Sequence, residues 1–385
     1  MSQALEGLKV LDLTMNLPGP YMTWLLAVMG AEVVKVENPV GGDYARALGG
    51  SQDSPFFAAV NRNKKSLALN LKHPEGKKLL LELVDTHDVL VEGFRPGTME
   101  RLGLDFDAVS ARNPRLIYIS ITGYGHDGPY RLRAGHDLNY LSLAGIIGMT
   151  GTRQGNPAIP GVQIADLAGG SLMALVGLLS AIIQRERTGR GQFVDAAMFD
   201  GAFSLATMVF GGVQAGLEHA EAGQMLLTGR FPCYGLYRTS DEKYMSLGAL
   251  EFKFWENFCI TVNRQDLVGE QFGGPEIVTE VERIFASRTM DDWVDQLKDS
   301  DACCEPVLSL EEAADSPLVE ARNMVTQSHD GSRFLASPIK LSDSSAADDR
   351  PAPVLGGDTR EILKGLGQSD DDLAFLVQQG VIWLA

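Results

Sequence analysis

The sequence predicts an α/β protein whose core is a doubly wound, mostly parallel β-sheet. Short apolar runs alternate along the chain with longer segments of helical periodicity, and this alternation is typical of a parallel sheet covered by helices. The chain has 385 residues, enough to bury a large core. Its 45% hydrophobic and 22% charged residues are ordinary for a soluble globular protein.

The first βαβ unit lies near the beginning of the sequence. A strand is predicted at 8–13, and the Asn-Leu-Pro-Gly-Pro turn at 16–20 begins a helix that continues to about Met29. A second strand is predicted at 31–37. The turn lacks the G-x-G-x-x-G pattern, and the sequence has no Walker motif. Neither a nicotinamide dinucleotide nor a nucleoside triphosphate is therefore expected.

The same alternation continues through the first half of the chain. Strands are predicted at 66–70, 88–91 and 116–121, with a helix at 74–86, and 191–198 is predicted to pass from strand into helix. These elements extend the sheet begun by the first βαβ unit.

A second unit is predicted from Phe231 to about Arg322. Its strands are aromatic and its helices amphipathic, which predicts a smaller α+β arrangement. Residues 341–353 are rich in Ser, Asp, Ala and Pro and are predicted to be an exposed linker, and a further helical pattern begins at Thr359. Within the second unit the strands are predicted at 234–237 and 244–247, and the helices near 252–261 and 289–299.

Charge and cysteine content exclude several classes of protein. The net charge of −17 disfavours nucleic acid and anionic membrane as partners. Four cysteines do not suggest a disulfide framework, and the Cys303-Cys304 pair has no histidine or further cysteine at ligand spacing. We therefore expect buried structural thiols and no metal. The apolar stretch at 167–183 is predicted to be a buried core helix, and without a secretory signal a cytoplasmic protein is expected.

Two segments thirty residues apart suggest acid–base chemistry. The first, at 134–140, contains His136, and the second, at 164–170, contains Asp166. Each titratable side chain lies among small or apolar residues, beside glycines that allow a ligand close to the backbone. A histidine and a carboxylate on opposite faces of one carbon atom are able to remove and return a proton. By local sequence alone, however, His136 also fits a buried core histidine and Asp166 a helix N-cap.

Several motifs, in this order and at this spacing, resemble one known family. The chain resembles the family III CoA-transferase superfamily, of the carnitine and bile-acid-inducible type, and within it the α-methylacyl-CoA racemase branch. The resemblance covers nearly the whole length. The matching segments are 8–20 with its Pro-Gly-Pro turn, 30–37, Asn-Arg-Asn-Lys-Lys-Ser at 61–66, Glu-Gly-Phe-Arg-Pro-Gly at 92–97, 134–140, 188–192, 301–308 and 353–356.

The resemblance implies a particular architecture. Residues 1–225 form the N-terminal part of a large, Rossmann-like, CoA-binding domain, 226–330 form a small α+β domain, and 331–385 form a linker and the return to the large domain. It also implies a homodimer of two interlinked, ring-like subunits.

Two reactions occur in the superfamily, and the enzymes that catalyse them differ in sequence at two places. In transferases the aspartate that matches Asp166 is a nucleophile, a tyrosine usually stands at the place of His136, and the small domain has a glycine-rich loop. This chain has His136, and 247–252 has no glycine run but contains Glu251, as in racemases. Both markers favour the racemase.

The resemblance also implies a role for each site residue. His136 and Asp166 are the two bases, and Glu251 orients His136, although Glu251 also fits ordinary helix capping. Burial would make Asp166 a stronger base, whereas a helix N-terminus would weaken it, and the sequence leaves this open. The same N-terminus is expected to offer N–H donors to an enolate oxygen. The implied coenzyme A contacts are Leu17, Lys72, Phe94, Arg95 and Arg101.

The sequence therefore predicts a racemase or epimerase that interconverts (R)- and (S)-2-methylacyl-CoA thioesters by 1,1-proton transfer through an enolate. No separate cofactor is expected, because coenzyme A is part of the substrate. The leading alternative is a CoA-transferase that moves CoA between carboxylic acids through a covalent Asp166 intermediate, and a weaker one is a non-catalytic acyl-CoA-binding protein. The acyl group stays open among a sterol side chain, a branched fatty acid and a short dicarboxylic acid.

Overall fold

The computed structural model of the chain describes residues 3–50, 54–328, 331–344 and 350–385. The chain divides into two compact units: the large unit comprises 1–144, 162–205 and 320–385, and the small unit comprises 145–161 and 206–319. The sequence predicts domain boundaries at 225/226 and at 330/331. Residue 330 lies outside the residues that the structure describes. In the structure the boundaries between the two units instead fall at 205/206 and 319/320, and residues 145–161 also belong to the small unit.

The described residues contain twelve strands and seventeen α-helices, here numbered in chain order. The strands β1 to β12 are Lys9–Asp12, Glu32–Glu37, Lys65–Leu69, Val89–Glu92, Ile117–Thr122, Phe193–Ala197, Tyr234–Arg238, Tyr244–Gly248, Cys304–Pro306, Val325–Gln327, Arg333–Leu335 and Ile382–Trp383. The helices α1 to α17 are Pro18–Val28, Pro55–Asn61, Pro74–Val84, Thr98–Leu102, Phe106–Arg112, Asp137–Leu143, Ile146–Met149, Met173–Thr188, Met198–Ser204, Thr207–Gln214, Phe252–Thr261, Pro275–Phe285, Met290–Leu297, Leu310–Ala314, Pro317–Ala321, Thr359–Gly365 and Asp370–Gln378. Short 3₁₀ helices occupy Tyr44–Ala47 and Gln265–Glu270, and a π-helix occupies Ala165–Leu172.

The large unit is built on a seven-stranded sheet in the order β12-β3-β2-β1-β4-β5-β6. Every pairing in it is parallel except that of β12 with β3, and Val10 of β1 pairs with Val33 on one side and Val89 on the other. This arrangement confirms the predicted α/β class with a parallel sheet. Helices α16 and α17 pack Leu363 and Leu373 into the core of the same sheet.

Local sequence explains where the main elements begin. Helices α1 and α3 both begin with proline at their first positions, where the missing N–H has no partner to lose. His73 caps α3 by accepting the backbone N–H of Glu75 at Nδ1. Strand β5 is buried along its whole length, as expected for a strand inside a parallel sheet.

Charged side chains lie buried beneath the loop that follows β1. Lys64 Nζ donates to Asp12 Oδ2 at 3.1 Å and to the carbonyl of Pro20 at 3.0 Å, and Lys35 Nζ donates to the carbonyl of Thr14 at 2.9 Å. Burial alone would raise the pKa of Asp12, but the two ammonium groups and two threonine hydroxyls hold it well below its usual range. This network ties the loop to the sheet.

The apolar stretch at 167–183 forms a π-helix that continues directly into α8. The combined helix, Ala165–Thr188, is long and apolar enough to cross a membrane by length and composition alone, a test that core helices also pass. The prediction of a buried core helix holds for one face only: Leu178 is buried, whereas Val176 and Ile183 are exposed. Because α8 packs on β5 and on the edge strand β6, the sheet covers only its inner face.

The small unit has its own sheet and core. Strands β7, β8 and β9 form an antiparallel sheet in that order. Trp255, Phe258, Phe285 and Trp293 are its main aromatic core residues. Arg153, in the segment 145–161, donates to the carbonyl of Gly229 at 2.6 Å and forms an ion pair with Glu282 at 3.1 Å.

All four cysteines are free thiols. Cys233 and Cys259 are buried and Cys304 is half-buried, but Cys303 is exposed, so the prediction of a buried thiol is wrong for Cys303. The cause is local: Cys303 adopts a left-handed φ of 49° just before β9, and consecutive residues entering a strand point to opposite faces.

Candidate active site

A cavity of about 400 Å³ lies within the large unit, at the carboxyl ends of four sheet strands. Its walls include Thr14 after β1, Gly93 after β4, Thr122 at the end of β5 and Met198 after β6. Strands β1 and β4 are the neighbours at which the strand order reverses. Open parallel sheets bind ligands at this position, because two successive loops diverge there to opposite faces.

His136 and Asp166 both line this cavity. His136 is exposed at the residue before α6, where its backbone N–H donates to Asn139 Oδ1 at 3.0 Å. Tyr140, one turn further along α6, donates its hydroxyl to the carbonyl of Gly135 at 2.6 Å. A β-carbon at Gly135 would lie 2.7 Å from the Tyr140 ring, so only glycine fits beside His136 in this arrangement.

Asp166 occupies the first turn of the π-helix. The backbone N–H groups of Ala165 and Asp166 both donate to Asp137 Oδ1, at 2.7 and 3.1 Å. Asp137 therefore joins the segment that carries His136 to the helix that carries Asp166. It also takes the N–H groups of Ala165 and Asp166. The expected donors to an enolate oxygen belong to the helix from Leu167 onward, and the N–H of Leu167 donates to the carbonyl of Gln163 at 3.0 Å.

The surroundings of the Asp166 carboxyl group raise its pKa. Burial, with a contribution from the Asp137 carboxylate, raises the pKa of Asp166 to about 7. The N–H groups of Ala165 and Asp166 at the beginning of the helix donate to Asp137. Asp166 is therefore able both to accept and to donate a proton near neutral pH.

Changing Asp137 to asparagine should lower the pKa of Asp166. The variant removes a negative charge but keeps an oxygen that accepts the two helix N–H groups. We expect the limb of the pH–rate profile assigned to Asp166 to move to lower pH by roughly one unit. The pKa remains above the ordinary aspartate value, because burial, its largest cause, is unchanged. The profile of kcat against pH measures this shift.

The matched control is Asp137→Ala, which removes both the charge and the acceptor. It should show the same shift together with a lower maximal rate, because the N–H groups of Ala165 and Asp166 lose their partner. An unchanged limb in both variants would contradict the electrostatic role of Asp137.

The remaining predicted residues divide into two groups. Phe94 and Arg95 line the cavity together with His136 and Asp166. Leu17, Lys72 and Arg101 lie in the large unit outside its lining, and Glu251 belongs to the small unit and also does not line it. Arg101 donates to Thr98 Oγ1 at 2.9 Å, and Glu251 is exposed at the residue before α11. Lining a cavity does not test a role, so the roles assigned to all the predicted site residues stay predictions.

Sequence reasoning missed three lining residues of chemical interest, namely Tyr140, Arg131 and Arg133. The two arginines immediately precede the Gly-His-Asp segment in a strongly acidic chain, and that juxtaposition was an available signal. Tyr140 lies close enough to Asp166 for the carboxylate to raise the tyrosine pKa, after the larger effect of burial. Nothing in its local sequence indicates this contact.

Comparison of the sequence with known proteins identifies its family. The family model described as CoA-transferase family III matches residues 5–359. The chain belongs to CoA-transferase family III. Other members show how the family divides by reaction.

The relatives in CoA-transferase family III include proteins named as racemases and proteins named as CoA-transferases, at similar sequence identity to this chain. The chain is 34% identical over 384 residues to the human α-methylacyl-CoA racemase, with 98% of this chain and 97% of the relative covered. It is 34% identical over 423 residues to the formyl-CoA:oxalate CoA-transferase of Rhodopseudomonas palustris strain BisA53, with coverage of 99% and 98%. A crystal structure of a CAIB/BAIF family protein from Brucella suis matches with a TM-score of 0.84 and 30% identity, covering 95% of this chain and 100% of that chain. The protein is thus an enzyme of this superfamily, whose members include racemases and transferases.

Proposed function

We propose that this protein is a 2-methylacyl-CoA racemase that interconverts the two epimers through an enolate. The observation that supports it best is the pairing of His136 and Asp166 in one cavity, with the pKa of Asp166 raised to about 7. Reversible transfer at a carbon centre needs a group that both accepts and donates a proton near neutral pH, together with a second proton-transferring side chain in the same cavity.

In the proposed reaction each base serves one face of the substrate. The thioester carbonyl acidifies the adjacent C–H bond, and one of the pair removes the proton to give an enolate. The other member then donates a proton to the opposite face, which inverts the centre. No separate cofactor is required, because the thioester carbonyl accepts the electron pair. Phe94 and Arg95, which line the same cavity, are the proposed contacts to the CoA portion.

The transferase alternative uses the same aspartate in a different way. As a nucleophile Asp166 must be ionised, and a pKa of about 7 leaves roughly half of it protonated at pH 7. A proton-transfer role depends on a pKa near neutrality, so the raised pKa favours that role for Asp166. Relatives of both kinds have similar identity, so the preference for the racemase comes from the site.

We also propose an interlinked homodimer in the cytoplasm, following the family resemblance. The exposed apolar face of α8, with Val176 and Ile183, is the kind of surface that a second subunit covers. The molecular mass in solution tests this part of the proposal.

Exchange of the α-proton tests the function directly. Purified protein is incubated in D₂O with one epimer of a 2-methylacyl-CoA and no carboxylate acceptor, and the product is examined by NMR. Deuterium at C2 together with both epimers is the expected result. Absence of exchange, followed by movement of CoA once succinate is added, would replace the racemase with a transferase that uses Asp166 as nucleophile.

A further inference from the structure

Three arginines line the cavity that holds His136 and Asp166: Arg95, Arg131 and Arg133. All three are exposed to solvent. Within the described ranges 3–50, 54–328, 331–344 and 350–385, other arginines form ion pairs with carboxylates, but none of these three does. The contact of Arg133 is with the ring of Tyr130, at 4.8 Å. What distinguishes these three guanidinium groups is that they line one cavity together with His136 and Asp166, in a chain of net charge −17.

The planar fork of donors on a guanidinium group matches the geometry of a carboxylate or a phosphate. The arginines are not ion-pair partners of Asp166. The charge that acts on the pKa of Asp166 is that of Asp137, and no arginine lowers this pKa. The cavity therefore combines a reacting pair with separate anion-binding groups.

The position of Arg131 and Arg133 in the chain indicates which anion they meet. Arg133 comes three residues before His136, so their Cα atoms are at most about 11 Å apart even in a fully extended chain. The group bound there lies near the reacting carbon. In a CoA thioester the pantetheine arm separates the thioester from the phosphates, whereas a carboxylate at the end of a short acyl chain lies close to it.

We propose that Arg131 and Arg133 bind a carboxylate at the far end of the acyl group, so that the preferred substrate is the CoA thioester of a short dicarboxylic acid. This inference rests on the proposed function, because it places the thioester beside His136 and Asp166. Under this inference the acyl end of the cavity requires a negatively charged group, which a fatty or sterol chain lacks.

A matched pair of ligands tests the inference by calorimetric titration of the full chain in a buffer without carboxylic acids. Succinyl-CoA and butyryl-CoA have the same number of acyl carbons and differ in the terminal carboxylate, and free CoA reports on the phosphates alone. We expect the wild-type protein to bind succinyl-CoA about tenfold or more tightly than butyryl-CoA. In the double variant Arg131→Gln, Arg133→Gln that preference should fall to near unity, with the affinities for butyryl-CoA and free CoA unchanged.

The control double variant is Arg187→Gln, Arg190→Gln, which removes the same charge from exposed arginines outside the cavity lining. It should keep the wild-type preference. An equal loss of affinity for all three ligands in the Arg131, Arg133 variant would overturn the inference and assign these arginines to the phosphates. An unchanged preference would also overturn it. If no CoA thioester binds the wild-type protein, the proposed function itself fails, whereas binding without preference defeats only the inference.

Discussion

Replacing Asp166 by asparagine should lower the rate of epimer interconversion by about 10³-fold or more, within the usual contribution of a positioned acid or base. Asparagine keeps the size of the side chain and removes its proton chemistry. His136 is still present in this variant. It should continue to exchange the α-proton of the one epimer whose proton faces it, and exchange from the other epimer should stop. Deuterium incorporation measured separately for each epimer detects this asymmetry.

The complementary variant, His136→Ala, should give the mirror-image pattern, with exchange lost from the epimer that retains it in Asp166→Asn. Acyl-CoA binding should survive both changes. Loss of all exchange in Asp166→Asn with full activity in His136→Ala would contradict a two-base mechanism and indicate a nucleophilic aspartate.

The pH dependence follows from the raised pKa of Asp166. In the direction in which Asp166 accepts the proton it must be ionised, so that rate should increase as pH rises through about 7. In the reverse direction it must be protonated, so that rate should decrease over the same range. Measuring kcat from each epimer separately distinguishes the two limbs.

Replacing Asp12 by asparagine should have the largest effect on stability, a loss of about 3–5 kcal/mol in the free energy of unfolding. Asp12 is fully buried, and its carboxylate faces Lys64 and accepts from the hydroxyls of Thr14 and Thr23. Removing its charge leaves the buried ammonium group of Lys64 without its ion-pair partner, whereas Lys35 keeps its ion pair with Asp43 at 2.9 Å. Urea unfolding followed by circular dichroism at pH 7 measures the loss.

The matched control is Asp85→Asn, because Asp85 pairs with Arg112 at the surface, where both side chains are 41% exposed. It should cost less than about 1 kcal/mol. The pH dependence gives a second check. Since the folded pKa of Asp12 is lowered, its stabilisation is complete above the unfolded value of about 3.9 and is lost as pH falls toward the folded value. Below about pH 4 the difference in stability between wild type and Asp12→Asn should therefore narrow; a difference that stays constant below pH 4 would contradict this account.

Elements with strong local periodicity were predictable. The predicted strand at 31–37 matches Glu32–Glu37, and the helix at 252–261 matches Phe252–Thr261. Strand β12, Ile382–Trp383, was not predicted. Two residues are too few to show the alternation of a β-strand. This strand is defined by its antiparallel pairing with β3, which lies far from it in the sequence.

Several residues of the candidate site were predictable, but its electrostatics were not. His136, Asp166, Phe94 and Arg95 were identified from the sequence and meet in one cavity. The role of Asp137 as acceptor for the helix N–H groups was not identified, because the contact joins residues that are distant in sequence. The same applies to the buried network around Asp12.

The sequence by itself determined the fold class, because hydrophobic periodicity is a local property of the chain. Through its family resemblance it also predicted His136 and Asp166 as the candidate pair. The tertiary structure alone decided the pKa of Asp166, the use of the π-helix N–H groups by Asp137 and the convergence of three arginines on one cavity. A pKa depends on how much water and which charges surround a carboxyl group. Those surroundings are formed by segments that come together only when the sheet and its loops are assembled.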